Sequence, residues 1–109
     1  MPYDESVRKR INRVLKEWPD VVEKKMFGGV CNLLHGNMVC GVYKENLILR
    51  LGAKAAHRAL KKPHCHTFDI TGKPMKNWVM VAPQGFVDDA VLTEWLEKAR
   101  AFVETLPPK

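Results

Sequence analysis

The stretch from Val30 to Leu51 constrains this chain more than any other part of it. Two short runs of alternating character, Val30 to His35 and Met38 to Lys44, flank Gly36-Asn37. That pair suits a two-residue hairpin loop, because Gly readily reaches the positive φ such turns need. With this turn His35 faces Met38, Leu33 faces Cys40 and Cys31 faces Val42, which gathers all six residues on one side of a sheet. A second turn at Glu45-Asn46 sets Val42 against Leu49 and Cys40 against Leu51, and extends the same apolar side with Leu47 at its end. Two turns agree on one core face. The other side, with Val30, Asn32, Leu34, Val39, Gly41, Tyr43, Ile48 and Arg50, is expected to be mixed and half exposed.

Helices bracket this meander. Val7, Ile11, Val14, Leu15 and Trp18 recur at helical spacing behind a capping Asp4, and Trp18-Pro19 ends the run, so the spacing predicts a helix over about Glu5 to Glu17. Its outer face carries a basic stripe of Arg8, Lys9, Asn12, Arg13 and Lys16. Lys54 to Leu60 reads as a short helix ended by Pro63, with Lys61 and Lys62 at its negative pole. His66 to Ile70 and Trp78 to Ala82 read as strands, joined through a turn at Thr71-Gly72-Lys73-Pro74. Asp88 caps a last helix reaching about Thr105, with Val87 and Leu92 as a hydrophobic staple and Val91, Leu92, Trp95, Leu96, Ala99, Phe102, Val103 and Leu106 on its apolar face. The expected fold is α+β, in the order α-β(3)-α-β(2)-α with a mainly antiparallel sheet, and all of residues 1–109 form a single domain.

The same residues narrow the function. Gly28-Gly29 precedes a strand instead of opening a helix, so the chain carries neither a phosphate-cradling loop nor a dinucleotide fingerprint. No apolar run is long enough to cross a membrane, and Met1-Pro2-Tyr3-Asp4 has neither the basic flank nor the apolar stretch of a signal peptide, so a cytoplasmic protein without membrane contact is expected. Cys31, Cys40 and Cys65 are an odd number with no tight CxxC pair, which points to reduced thiols. A net charge of +6 attracts phosphate backbones at low salt without conferring specificity.

Catalytic and metal chemistry find little support. Cys31, His35, Met38 and Cys40 on one face suggest a soft-metal site, but diagonal neighbours in a sheet converge on an ion only by breaking the packing around them, so buried core thiols are expected. His64-Cys65-His66 places two imidazoles on one side of a strand, too few for a structural zinc site. Asp69 reads as a turn organiser and Asp88 as a cap. No catalytic residue, metal ligand or cofactor is therefore assigned. Trp18 and Trp95 fall on core positions, whereas Phe27 and Trp78 flank basic residues and are candidates for an exposed contact.

Several segments together, Lys24-Lys25-Met26-Phe27-Gly28-Gly29, Gly36 to Tyr43, Phe68-Asp69, Thr71 to Val79 and the terminal Leu106-Pro107-Pro108-Lys109, resemble the TfoX N-terminal domain family over essentially the whole chain. The resemblance implies a secretion-chaperone-like α-β(3)-α-β(2)-α fold and a bacterial, non-enzymatic regulatory or adaptor module. Longer relatives, the TfoX/Sxy competence regulators, promote transcription of DNA-uptake genes with a cyclic-AMP-responsive activator and carry a further C-terminal helical domain. This chain stops at Lys109, so that domain's contribution is not carried over. The resemblance implies a protein partner in the transcription machinery. The alternative is direct nucleic-acid binding through the basic residues. For either, Lys24, Lys25, Phe27, Lys73, Lys76 and Trp78 are the expected contact surface. A two-fold dimer is compatible with the edges an open sheet leaves.

Overall fold

Asp4 begins the first helix, where its position ahead of Val7, Ile11 and Leu15 predicts. In the computed structural model, which describes residues 3–26, 28–68 and 76–108, Asp4 Oδ1 accepts hydrogen bonds from the Ser6 amide at 2.8 Å, the Ser6 hydroxyl at 2.6 Å and the Val7 amide at 3.3 Å. These bonds, the Ser6 hydroxyl foremost, hold its carboxyl below the usual range. Helix α1 (Glu5–Leu15) buries Val7, Ile11 and Leu15. It stops two residues before Glu17. The Trp18 amide then donates to the Leu15 carbonyl at 2.9 Å and the ring is buried, the residue before Pro19 being barred from helical geometry.

The next segment departs from the expected order, because Val21–Met26 forms a strand, β1, antiparallel to β2 (Gly29–Leu34). Its sequence hides the alternation a half-buried strand shows. The inward position next to Val21 is taken by Glu23, whose carboxylate receives Arg8 Nη2 of α1 at 2.7 Å and Arg8 Nε at 3.0 Å. Val22, on the outward side, is 63% exposed. An ion pair thus replaces the expected apolar contact, and the lysines that follow are typical of a free sheet edge.

The hairpin of β2 with β3 (Asn37–Tyr43) forms, but in another register. Its loop is His35-Gly36, with φ of 53° and 83°, so both loop residues take the positive φ that a type I′ turn requires. Leu34 pairs with Asn37 and Leu33 with Met38, whereas Asn32 pairs with Cys40 and Val30 with Val42. Val39 is therefore an extra residue in β3, a bulge that moves Cys40 and Val42 to the side opposite Met38. The expected grouping of Cys31, Leu33, His35 and Met38 with Cys40 and Val42 is overturned for this reason. Val30, Leu34 and Val39 instead join Cys40 and Val42 in the main core.

Strand β4 (Asn46–Arg50) pairs Val42 with Leu47 and Cys40 with Leu49, the turn lying one residue earlier than Glu45-Asn46. This slip is two residues in register and leaves every side chain on its expected side, since faces repeat with period two. Leu47, Leu49 and Leu51 are in the core, as expected. Helix α2 (Ala53–Ala59), β5 (Cys65–Thr67), β6 (Trp78–Val81), a 3-10 turn at Pro83–Gly85 and helix α3 (Asp89–Val103) follow. Asp88 caps α3 by accepting from the Ala90 amide at 2.8 Å. The expected staple is absent: Val87 is 75% exposed, and Phe86, one residue earlier, is the buried one.

The described residues form one antiparallel sheet in the order β1-β2-β3-β4-β6-β5. Buried residues of α1, α2 and α3 share one core with Val30, Leu34, Val42, Leu47, Leu49, Val79 and Val81, so the helices lie on one face. Arg10 joins α1 to the start of α3, with Nη2 donating to the Phe86 carbonyl at 2.6 Å and meeting Asp89 at 2.9 Å. No helix among the described residues is long and apolar enough to cross a membrane.

Replacing His35 by Asn, which tolerates positive φ better, should raise stability by a few tenths to about 1 kcal/mol in denaturant unfolding; an unchanged midpoint would place the loop elsewhere. Arg8, chiefly through its hydrogen bond, holds the Glu23 carboxyl below its ordinary value of 4.5. The stability this contributes is complete above the ordinary value and is lost as pH falls through the depressed one. Denaturant midpoints should accordingly fall below about pH 4.5, and Glu23→Gln should flatten part of that decline.

Candidate functional site

Lys24 and Lys25 are neighbours in sequence but alternate across β1. Lys24 lies opposite Cys31 on the side away from the helices, Lys25 opposite Val30 on the helical side, and both are exposed. Lys76 is exposed two residues ahead of β6. Four strand spacings, roughly 19 Å, separate β1 from β6 along the sheet, so these lysines do not form one patch. Trp78 is 7% exposed and packs on Ile48 and Phe68, which corrects the expectation of an exposed contact. Phe27, Lys73 and Asp69 lie outside the described residues. In the basic stripe of α1, Arg8 is held by Glu23 and Glu5, leaving Lys9, Arg13 and Lys16 exposed.

What the fold assembles instead is a sheet face that carries no helix among the described residues. Ile48, Phe68 and Trp78 are its buried centre, with half-buried Met38, Tyr43 and Met80 packed around them. Phe68 bridges Tyr43 and Trp78, its ring 6.3 Å from the first in an edge-on arrangement and 5.9 Å from the second. Toward β1 the surface continues through half-buried Leu33 to exposed Val22. Cations edge it: Lys44 Nζ stands 5.6 Å from the Tyr43 ring centre and Arg50 Cζ 5.8 Å from that of Trp78, with Lys24 on the β1 side. This arrangement is suited to adhesion rather than to bond chemistry, since it offers adaptable methionine and aromatic surface within a positive border.

The groups with reactive chemistry are engaged elsewhere. Cys40 is 1% exposed and its thiol is pushed up to about 12 by burial, with Asn32, whose Nδ2 is 3.9 Å from Sγ, opposing the shift. Burial also raises the Cys31 and Cys65 thiols. Cys31 and Cys40 face opposite sides of the sheet, which removes the shared ligand set the expected register suggested. Cys65 enters the core, while His66 is exposed. Among the described residues no group of three or more His, Cys, Asp or Glu is placed to hold a metal ion.

Sequence reasoning also missed a second gathering of cations, Arg58, Lys62 and Lys98, around Trp95 between α2 and α3. Arg58 is in the last turn of α2 and Lys62 four residues on, just past its end, while Trp95 and Lys98 are three apart on α3. Each spacing is legible, but the meeting of the two pairs is tertiary.

All three thiols should react with an aromatic disulfide reagent far more slowly in the native protein than in denaturant, with Cys40 slowest; prompt native labelling of Cys40 would contradict its burial.

Neither the curated proteins nor the solved structures yield a match to the chain. A family model, that of the TfoX N-terminal domain, matches residues 13–103. That span runs from within α1 through the whole sheet to the last residue of α3, and so covers both the helical core and the helix-free face. The chain belongs to the TfoX N-terminal domain family.

Proposed function

We propose that this chain is a non-catalytic regulatory or adaptor module that docks a protein partner on the helix-free face of its sheet, in the manner suggested by its TfoX-like family. The observation that carries the reading is the composition of that face. An apolar centre of Leu33, Met38 and Met80 runs out to Val22, a valine 63% exposed, and is bordered by Lys24, Lys44 and Arg50. Lone exposed apolar residues are ordinary, but an apolar surface continuous with a half-buried aromatic cluster and bordered, among the described residues, by Lys24, Lys44 and Arg50 has the anatomy of an interface. The border selects the occupant: a protein surface whose apolar centre is flanked by Asp or Glu. Transcriptional control of DNA uptake, as in the longer TfoX/Sxy regulators, is the process in which we place such a partner.

Catalysis is disfavoured by the state of the reactive groups. The thiols are buried with raised titration points, and Asp88 is committed to a helix cap. Nucleic acid competes for the positive charge, and its binding would weaken steeply with salt, as binding to an apolar centre would not.

Affinity capture from bacterial extract with nuclease present tests the proposal, using wild type, the double variant Val22→Asp/Lys24→Glu, and Glu97→Lys on the exposed side of α3 as a control. Defined partners should survive nuclease and 0.3 M salt, fall roughly fivefold with the double variant and remain with the control. Recovery that vanishes with nuclease, or that ignores the double variant, would overturn the reading.

A further inference from the structure

We propose that the cleft between α2 and α3 is a binding site for a small organic phosphate, independent of the sheet face. Two adjoining hollows of about 260 and 360 Å³ share Lys62, Trp95 and Lys98 in their walls. Together they have the size of a small-molecule site. Ala55, Ala59 and Ala101 make the second hollow largely apolar, while His64 and Glu94 lie at the first.

Trp95 organises the charge. Its Nε1 donates to the Gly85 carbonyl at 3.2 Å and its side chain is buried against the main core, so the ring is a fixed platform. Lys62 Nζ stands 5.2 Å and Lys98 Nζ 5.3 Å from the centre of that one ring, and Arg58 shares the second hollow with both. Among the described residues no carboxylate lies within 4 Å of Arg58, Lys62 or Lys98. Each lysine gains from the ring face, but two ammonium groups on one ring repel each other, and the guanidinium adds to the field. A doubly charged anion relieves that repulsion, and a singly charged carboxylate does so only in part.

Phosphate esters carry close to two negative charges at neutral pH, which matches the cluster. The apolar wall asks for a body attached to the phosphate, and an aromatic or aliphatic group could lie along Ala55, Ala59 and Ala101. A nucleic-acid backbone fits less well. It needs a track of cations over a surface, whereas Lys62 and Lys98 sit over one buried ring, with Glu94 also lining the first hollow.

The test follows the Trp95 indole N–H of the whole chain by NMR at constant ionic strength while phenyl phosphate, inorganic phosphate, phenol or a short DNA duplex is added. Phenyl phosphate should give a saturable shift, bind roughly fivefold tighter than inorganic phosphate, and lose about tenfold in affinity in Lys98→Glu and severalfold in Lys62→Gln. Lys54→Glu, on the exposed side of α2, should leave binding within about twofold of wild type, and unchanged amide spectra verify that each variant is folded. Five outcomes overturn the proposal: no saturable shift up to about 20 mM; phenol binding as tightly as phenyl phosphate; inorganic phosphate binding as tightly as phenyl phosphate; equal effects of Lys54→Glu and Lys98→Glu; or duplex DNA outcompeting phenyl phosphate at this ring.

Discussion

One extra residue in β3 decides how the rest of the molecule packs. Because Val39 bulges between the Leu33–Met38 and Asn32–Cys40 pairs, the strand changes sides partway along its length. Before the bulge Met38 points away from the helices, and after it Cys40 and Val42 point toward them. With strict alternation Met38, Cys40 and Val42 would share one side, so burying Val42 against the helices would carry Met38 there as well. The bulge lets β3 supply one side chain to the helix-free cluster and several to the main core.

The helical face and the edge of the sheet are held by different forces. At the centre, Leu47, Leu49, Val79, Val81 and Leu96 are completely withdrawn from water, where close packing governs. At β1, beyond Val21, the contact is polar. Arg8 forks onto Glu23 and also meets Glu5, and the Asn12 amide donates to the same Glu23 carboxylate at 3.3 Å. Such exposed pairs contribute little individually, but they orient the edge strand, whose outward Val22 and Lys24 are then presented beside Leu33.

This division of forces leaves two surfaces of distinct character. The helix-free face combines half-buried apolar side chains with charge at their margin, the composition on which the proposed protein docking rests. The α2–α3 cleft is narrow, basic and floored by one pinned indole, a shape that accepts a small anion. They lie on opposite faces of the sheet, so occupation of one leaves the other open. With the two proposed occupants, a protein partner on one side and a small phosphate on the other, the module would have the layout of a ligand-responsive adaptor.

Much of the architecture was legible in order along the chain. Asp4 and Asp88 mark helix starts because their carboxylates satisfy free amide groups whatever packs nearby. Leu47, Leu49 and Leu51 declare the core side of β4 because side chains alternate in any strand. Strand β1 escaped notice because its inward partner is a carboxylate that finds an arginine on another element. The side taken by Cys31 was misjudged because a bulge leaves no mark in composition; it arises from the competition of two packed faces. Local capping and periodicity were thus determined by the sequence itself, since they depend on near neighbours. The bulge, the separation of Lys24 from Lys76 and the meeting of Arg58, Lys62, Trp95 and Lys98 at one hollow were decided only by the tertiary structure, because each depends on which distant segments come to lie side by side.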